Sequence, residues 1–169
     1  PNLQNIPVRD PRQGTLIRQA FIPRTGRVLI EVDYSSLEVM VACALSGDPK
    51  LTFDATEGDM HRDMAAECFL LDKTDVTKGT RQATKGGFVF AEFYGDWYKK
   101  VAANLWDSIG RHDLKTADGC NLYDYLCNAH GIARLGECDP TTGPVKGTFE
   151  YHIKAVEDRF WNDRFKVYN

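Results

Sequence analysis

RVLIEVDYSSLEVMVACALSG, residues 27–47, divides into two textures. Residues 27–32 are rich in β-branched and aliphatic residues, the pattern of a short buried strand. Asp33 stands at the carboxyl end of that expected strand. Ser35 or Ser36 then offers a helix N-cap, and Leu37 to Leu45 continues as a helix that stops near Gly47. Strand, carboxylate, tight turn and helix together place a charged group at a sheet edge, where it is exposed. The fold class this implies is α/β (α+β), and the rest of the chain makes it mostly helical.

Upstream, PNLQNIPVRDPRQG at 1–14 carries three prolines and no period, so it reads as extended or looped. Downstream of Pro49 the texture changes to helices with polar connections. Asp59 is placed to cap a helix from Met60 to Leu70, and Thr80 to cap another over about 81–93. In DWYKKVAANLWDSI, residues 96–109, Trp97, Val101, Leu105 and Ile109 recur at fourfold spacing and predict an amphipathic helix. A short helix is expected at 121–129, a Gly/Pro/Thr-rich loop at 131–148, and a helix at 149–168 that carries Phe149, Ile153, Val156, Phe160 and Phe165 on one side.

The chain has 169 residues, 43% of them hydrophobic and 27% charged, which suits one domain with a real core or a large piece of a bigger one. No apolar run approaches the roughly 18 residues of a membrane span. A net charge of −3 argues against a uniformly basic nucleic-acid binder, but the average conceals a division. Residues 1–30 hold Arg9, Arg12, Arg18, Arg24 and Arg27 against Asp10 alone, whereas the remainder is net acidic. Five cysteines with no C-x-x-C pair speak against a disulfide framework or zinc cluster. Cys43 and Cys68 read as core residues of a reduced, intracellular protein. The opening Pro1 and a helical pattern that runs to the last residues suggest an internal fragment.

Three places carry chemistry. At about 100° per residue, Lys85 lies about 40° from Arg81 and Phe88 about 20° to its other side, so two cations and a ring share one helical face. Arg and Lys together suit a polyphosphate, and the ring suits a base, worth about 1–3 kcal/mol when stacked. The competing reading is a solvated face whose Phe enters the core. Asp33 is either a Mg²⁺ ligand or a capping residue. Glu38 sits in the first turns of its helix, where the dipole tolerates a carboxylate. His61 near a helix start is by itself a structural residue.

PNLQNIPVR at 1–9, DYSSLEVMVACALSGDP at 33–49, GDMHRDMAAECF at 58–69 and RQATKGGFVFAEFYG at 81–95 occur in this order, and the set closely resembles the family A DNA polymerases. Residues 96–169 resemble phage-type members more loosely. The resemblance implies a right-hand polymerase, with residues 1–48 as part of the palm and 49–169 as fingers. It implies that Asp33 is the first catalytic carboxylate, which with the Tyr34 carbonyl holds two Mg²⁺ ions together with a carboxylate outside this sequence. Glu38 would close off the ribose 2′ side. Arg81, Lys85 and His61 would grip the incoming triphosphate, with Lys85 as proton donor to pyrophosphate. Asn2, Asn5, Arg9 and Tyr94 would track the primer–template. The implied partners are primer–template DNA, a dNTP and the rest of a parent polymerase, and no membrane; the implied location is the cytoplasm of a bacterial cell, with the FVFAEFYGDWY stretch and the long tail leaning towards phage.

The chain departs from the family pattern at three points. The stacking aromatic usually lies four residues after the motif B Lys; here Val89 stands there, between Phe88 and Phe90, and the YG pair comes one residue late. Angle favours Phe88, or else a local bulge re-aims a ring. Ser36 and Met40 replace a common Gln and Arg. Motif C, with its His-Asp pair, is missing; His112-Asp113 directly follows a helix and lacks the flanking strands. With one carboxylate the fragment is expected to be inactive alone. The alternatives are a single-subunit RNA polymerase of phage type and a non-catalytic nucleic-acid-binding relic.

Overall fold

A computed structural model describes residues 13–34, 36–137 and 141–168. The chain divides into two units, Pro1–Ser35 and Ser36–Asn169. In the first, α1 spans Gln13–Gln19, and residues 21–34 follow without regular structure. The strand expected at 27–32 is therefore corrected. Val28, Leu29, Ile30 and Val32 are 62–84% exposed. Strand propensity is realised only when neighbouring strands take up the backbone hydrogen bonds, and the described residues contain no strand to pair with. Their one β-pairing is an isolated bridge between Lys115 and Asn121. The described structure is thus helical, and the α/β part of the expectation is not met.

The second unit begins with α2, Leu37–Ser46. Ser36 precedes it with a positive φ of 50° and makes no side-chain cap. Gly47 closes it in the left-handed conformation, its N–H reaching the Cys43 carbonyl as in a glycine C-cap. Asp48 opens α3, Pro49–Thr56: its Oδ1 accepts the Lys50 and Leu51 amides at 2.8 and 3.0 Å, and Pro49 occupies the first turn, where a missing N–H costs nothing. The other carboxylate oxygen accepts the Val167 and Tyr168 amides at 3.0 and 3.1 Å. One buried Asp therefore caps a helix and anchors a turn 119 residues away.

Asp59 caps α4, Met60–Phe69, as expected. The following helix starts earlier than expected: Thr77, not Thr80, is its N-cap, and α5 spans Lys78–Thr84. The hydroxyl of Thr80 turns back to the Thr77 carbonyl instead. Beyond Thr84 the chain continues as a π-helical turn, Lys85–Val89, and then as α6, Phe90–Phe93. Helix α7, Tyr98–Arg111, buries Val101, Leu105 and Ile109 completely, whereas Trp97 sits at its start and stays exposed.

Helices α8, Leu122–His130, and α9, Phe149–Arg159, follow, and α9 runs into a second π turn, Phe160–Arg164. Helix α9 packs along α7. Phe149, Ile153, Val156, Phe160 and Phe165 enter the core, as the spacing predicts. The loop between α8 and α9 is pinned at its base: the Phe149 and Glu150 amides donate to the Arg134 and Leu135 carbonyls. Lys99, buried on α7, lies 3.5 Å from the buried Glu150 carboxylate and also donates to the Thr142 carbonyl. Arg164 reaches Asp54 and Asp63 at 2.8 Å each and Glu67 at 3.3 Å, tying the second π turn to α3 and α4.

Candidate functional site

The nucleus of the site is the face that α4 and α5 share. Asp59 ends the loop into α4 and caps it through the Arg62 amide at 3.1 Å. The same carboxylate receives the Arg81 guanidinium: Nε lies 3.1 and 3.0 Å from its two oxygens, and Nη2 lies 2.9 Å from Oδ1. Burial pulls the Asp59 carboxyl upward, but the hydrogen bonds and charge of Arg81 win and hold it below its ordinary value. Arg81 thereby presents a fixed fork, half in solvent.

Two residues beyond Asp59, His61 is 8% exposed, and its Nδ1 is buried without a partner. Burial, then the nearby charges of Lys85 and Arg81, push its pKa down to about 4. The ring is therefore neutral at pH 7. It meets the Phe90 ring edge-on at 5.9 Å. The Lys85 ammonium lies 5.3 Å from the centre of the same Phe90 ring, within cation–π range.

The π turn explains this company. In a π turn the N–H of residue i+5 bonds to the carbonyl of residue i, so one more residue fits into the turn than in an α-helix. Here the Phe90 amide donates to the Lys85 carbonyl, which brings Phe90 over Lys85 one turn on. The expectation that Phe88 shares the face of Arg81 and Lys85 is corrected by the same geometry. Phe88 is fully buried and packs edge-to-face on Phe160 at 5.3 Å. The extra residue between Lys85 and Tyr94 was the visible signal, and it takes the form of a bulge rather than a longer loop.

A second contact joins α2 to the end of this element. The Tyr94 hydroxyl donates to Glu38 Oε1 at 3.0 Å, and that hydrogen bond raises the tyrosine pKa. Glu38, Val41, Leu45, Phe93, Tyr94 and Tyr168 line an open cleft of about 380 Å³. Asp33 and Tyr34 belong to the first unit and are exposed. Asn2, Asn5 and Arg9 lie outside the described residues. The residue-by-residue reading missed Asp59 as the partner of Arg81. It also missed Glu92, a carboxyl 4% exposed whose Oε2 accepts the Trp161 indole N–H at 2.7 Å. A capping Asp two residues before a candidate His is a detectable signal; a charged residue inside FVFAEFYG is another.

No helix among the described residues is long and apolar enough to cross a membrane. Comparison with known proteins identifies the sequence pattern of DNA polymerase family A over residues 1–117. DNA polymerase I of Caldicellulosiruptor bescii is 43% identical over 86 residues, covering 50% of this chain and 10% of that protein. The thermostable DNA polymerase I of Thermus thermophilus is 44% identical over 106 residues, 62% of this chain and 12% of its own. DNA polymerase I of Lactococcus lactis is 39% identical over 117 residues, 68% and 13% respectively. The chain thus spans about a tenth of the length of these relatives. No solved structure gives a significant match.

Proposed function

Because the chain belongs to DNA polymerase family A, we propose that it supplies the nucleotide-binding face and part of the catalytic centre of a template-directed DNA polymerase. The reaction joins a dNTP to a primer 3′-hydroxyl and releases pyrophosphate. The observation that carries this reading is the convergence of Arg81, Lys85, His61 and Phe90 on one surface. A fork, a point charge, a neutral imidazole and an aromatic ring are together what a base-bearing triphosphate needs.

Each group has a separable task. Arg81 takes two phosphate oxygens through its planar fork, and Asp59 keeps that fork oriented until phosphate replaces it. Lys85 neutralises the charge that grows on the leaving pyrophosphate and gives it a proton. His61, being neutral, offers a hydrogen bond rather than a charge. Phe90 is the ring that stacks on the incoming base, in place of Phe88. Glu38 blocks the ribose 2′ position, and its hydrogen bond from Tyr94 ties that block to the tyrosine beside the templating base.

Asp33 and the Tyr34 carbonyl are hard oxygen donors on an exposed segment, the kind that Mg²⁺ accepts, and they fit one side of a metal site. Two Mg²⁺ ions, when bound, supply the positive charge that favours attack by the hydroxyl and departure of pyrophosphate. A second carboxylate must come from beyond these 169 residues, so this chain alone is expected to extend no primer.

The test uses the full-length enzyme that carries these residues. Asp33→Ala is expected to abolish primer extension while primer–template affinity, read by filter binding, changes less than about threefold, because a metal ligand adds little to DNA contact. Extension that survives the substitution would remove Asp33 from the catalytic centre.

A further inference from the structure

The π turn at Lys85–Val89 needs something to hold it, since the α-helical register is the default and π turns persist where their surroundings specify them. The structure shows what does so. Phe88 packs on Phe160; Phe93 packs edge-to-face on Phe160, Trp161 and Tyr168 at 6.0, 5.7 and 5.6 Å. The Trp161 indole N–H donates to Glu92, and its ring stacks on Tyr168 at 5.2 Å. All these partners lie in residues 160–168, outside the 1–117 stretch that carries the family pattern.

Burial converts these contacts into an aim. Phe88 and Glu92 are 0% and 4% exposed and both face inward. Phe90, between them in sequence, is half-buried and meets Lys85 and His61 instead. Fixing Phe88 and Glu92 against the second π turn therefore turns Phe90 outward, to Lys85 and His61. The aromatic contacts are non-directional enough to tolerate slippage. The Trp161–Glu92 hydrogen bond is not: an indole N–H has only one direction in which to donate. A slip of one residue would take the indole donor away from the buried Glu92 carboxyl, which is costly.

We infer that Trp161 and Glu92 are a positioning pair that sets the rotation of residues 88–94 and so holds Phe90 in place for the incoming base. This rests on the polymerase reading of the site. Neither residue touches the nucleotide; both act through Phe90.

The experiment measures single-nucleotide incorporation by the full-length enzyme with three variants. Trp161→Phe removes the donor and keeps a ring on Tyr168. Glu92→Leu removes the acceptor at similar size. Glu92→Gln keeps an acceptor oxygen. We expect Trp161→Phe and Glu92→Leu to raise the dNTP KM about tenfold with kcat within about twofold, the size of one buried hydrogen bond lost. Glu92→Gln should return KM to within about twofold of the parent, which a purely structural role would not require. Unchanged KM in Trp161→Phe overturns the inference, and so does a Glu92→Gln defect as large as that of Glu92→Leu. If Glu92→Leu melts below the assay temperature, Trp161→Phe alone decides. Asp33→Ala run alongside separates the two levels: extension surviving there sinks the polymerase reading, whereas its loss together with an unchanged Trp161→Phe KM sinks only the positioning pair.

Discussion

Phe88 and Phe90 are two residues apart and have opposite surroundings. Phe88 has no exposed surface and one edge-to-face partner in Phe160; Phe90 is half-buried between an ammonium and an imidazole. Removing each ring should therefore fail in a different way. Phe88→Ala empties a core site and should cost about 3–5 kcal/mol in denaturant unfolding, through lost transfer energy and a residual cavity. Phe90→Ala should cost much less stability and raise the dNTP KM of the full-length enzyme about tenfold, within the range of one lost base–aromatic stack. Equal stability losses would put both rings in the core; a KM effect at Phe88 without a stability loss would restore the reading from angle alone. The reading from angle and the structure, in which Phe88 is buried, differ for a definite reason. The former applied 100° per residue across a stretch that is not α-helical, although the late YG pair and the Val89 mismatch both pointed to an inserted residue.

At the scale of elements, the helices were legible because their signals are local. Asp59 at a cap, Gly47 at a C-terminus and the apolar spacing of α7 and α9 each act within one or two turns. The strand at 27–32 was misread because a strand depends on partners that no local pattern supplies. Nor was the Glu92–Trp161 pair legible, for 69 residues separate its members. The glycines of the π turn give a sharp test of local geometry. A Cβ added at Gly86 meets nothing within 4 Å, whereas one at Gly87 would lie 2.9 Å from Leu105 Cδ2, in a fully buried side chain of α7. Gly86→Ala should stabilise by up to about 1 kcal/mol through lower unfolded-state entropy. Gly87→Ala should destabilise by about 1–3 kcal/mol, because Leu105 must shift within a packed core. Thermal unfolding of both variants reads the difference. The same sign at both positions would mean that the π turn at Lys85–Val89 does not approach α7 as the structure has it.

For the whole molecule, stability should peak in mildly acidic solution, because two buried groups oppose each other across pH. His61 binds its proton at about 4 in the folded chain against 6.5 unfolded. Between those values the unfolded chain holds more protons, so stability falls as pH drops from 6.5 to 4. His152, also lowered by burial, acts in the same direction, and Asp48, Asp59 and Asp63, all held below the ordinary carboxylate value, add a further loss at still lower pH. Glu92 acts with the opposite sign. Burial first, then the facing charges of Glu157 and Asp96, raise its pKa to about 8 from 4.5, against the lowering effect of the Trp161 hydrogen bond. The folded chain therefore holds the extra proton, and stability falls as pH rises from 4.5 to 8. Between 4.5 and 6.5 the two slopes largely cancel; above 6.5 only the Glu92 slope remains. Glu157, raised by its own burial, reinforces that side. Glu92→Gln should match the parent chain near pH 5 and exceed it at pH 8, by on the order of 3 kcal/mol or about 6–12 °C in Tm. Melting curves of both chains at pH 5, 6.5 and 8 provide the measurement. Parallel curves, with no gap opening above pH 6.5, would mean that Glu92 is ionised and hydrated in the folded chain, and the α6 end would then have to stand clear of Trp161.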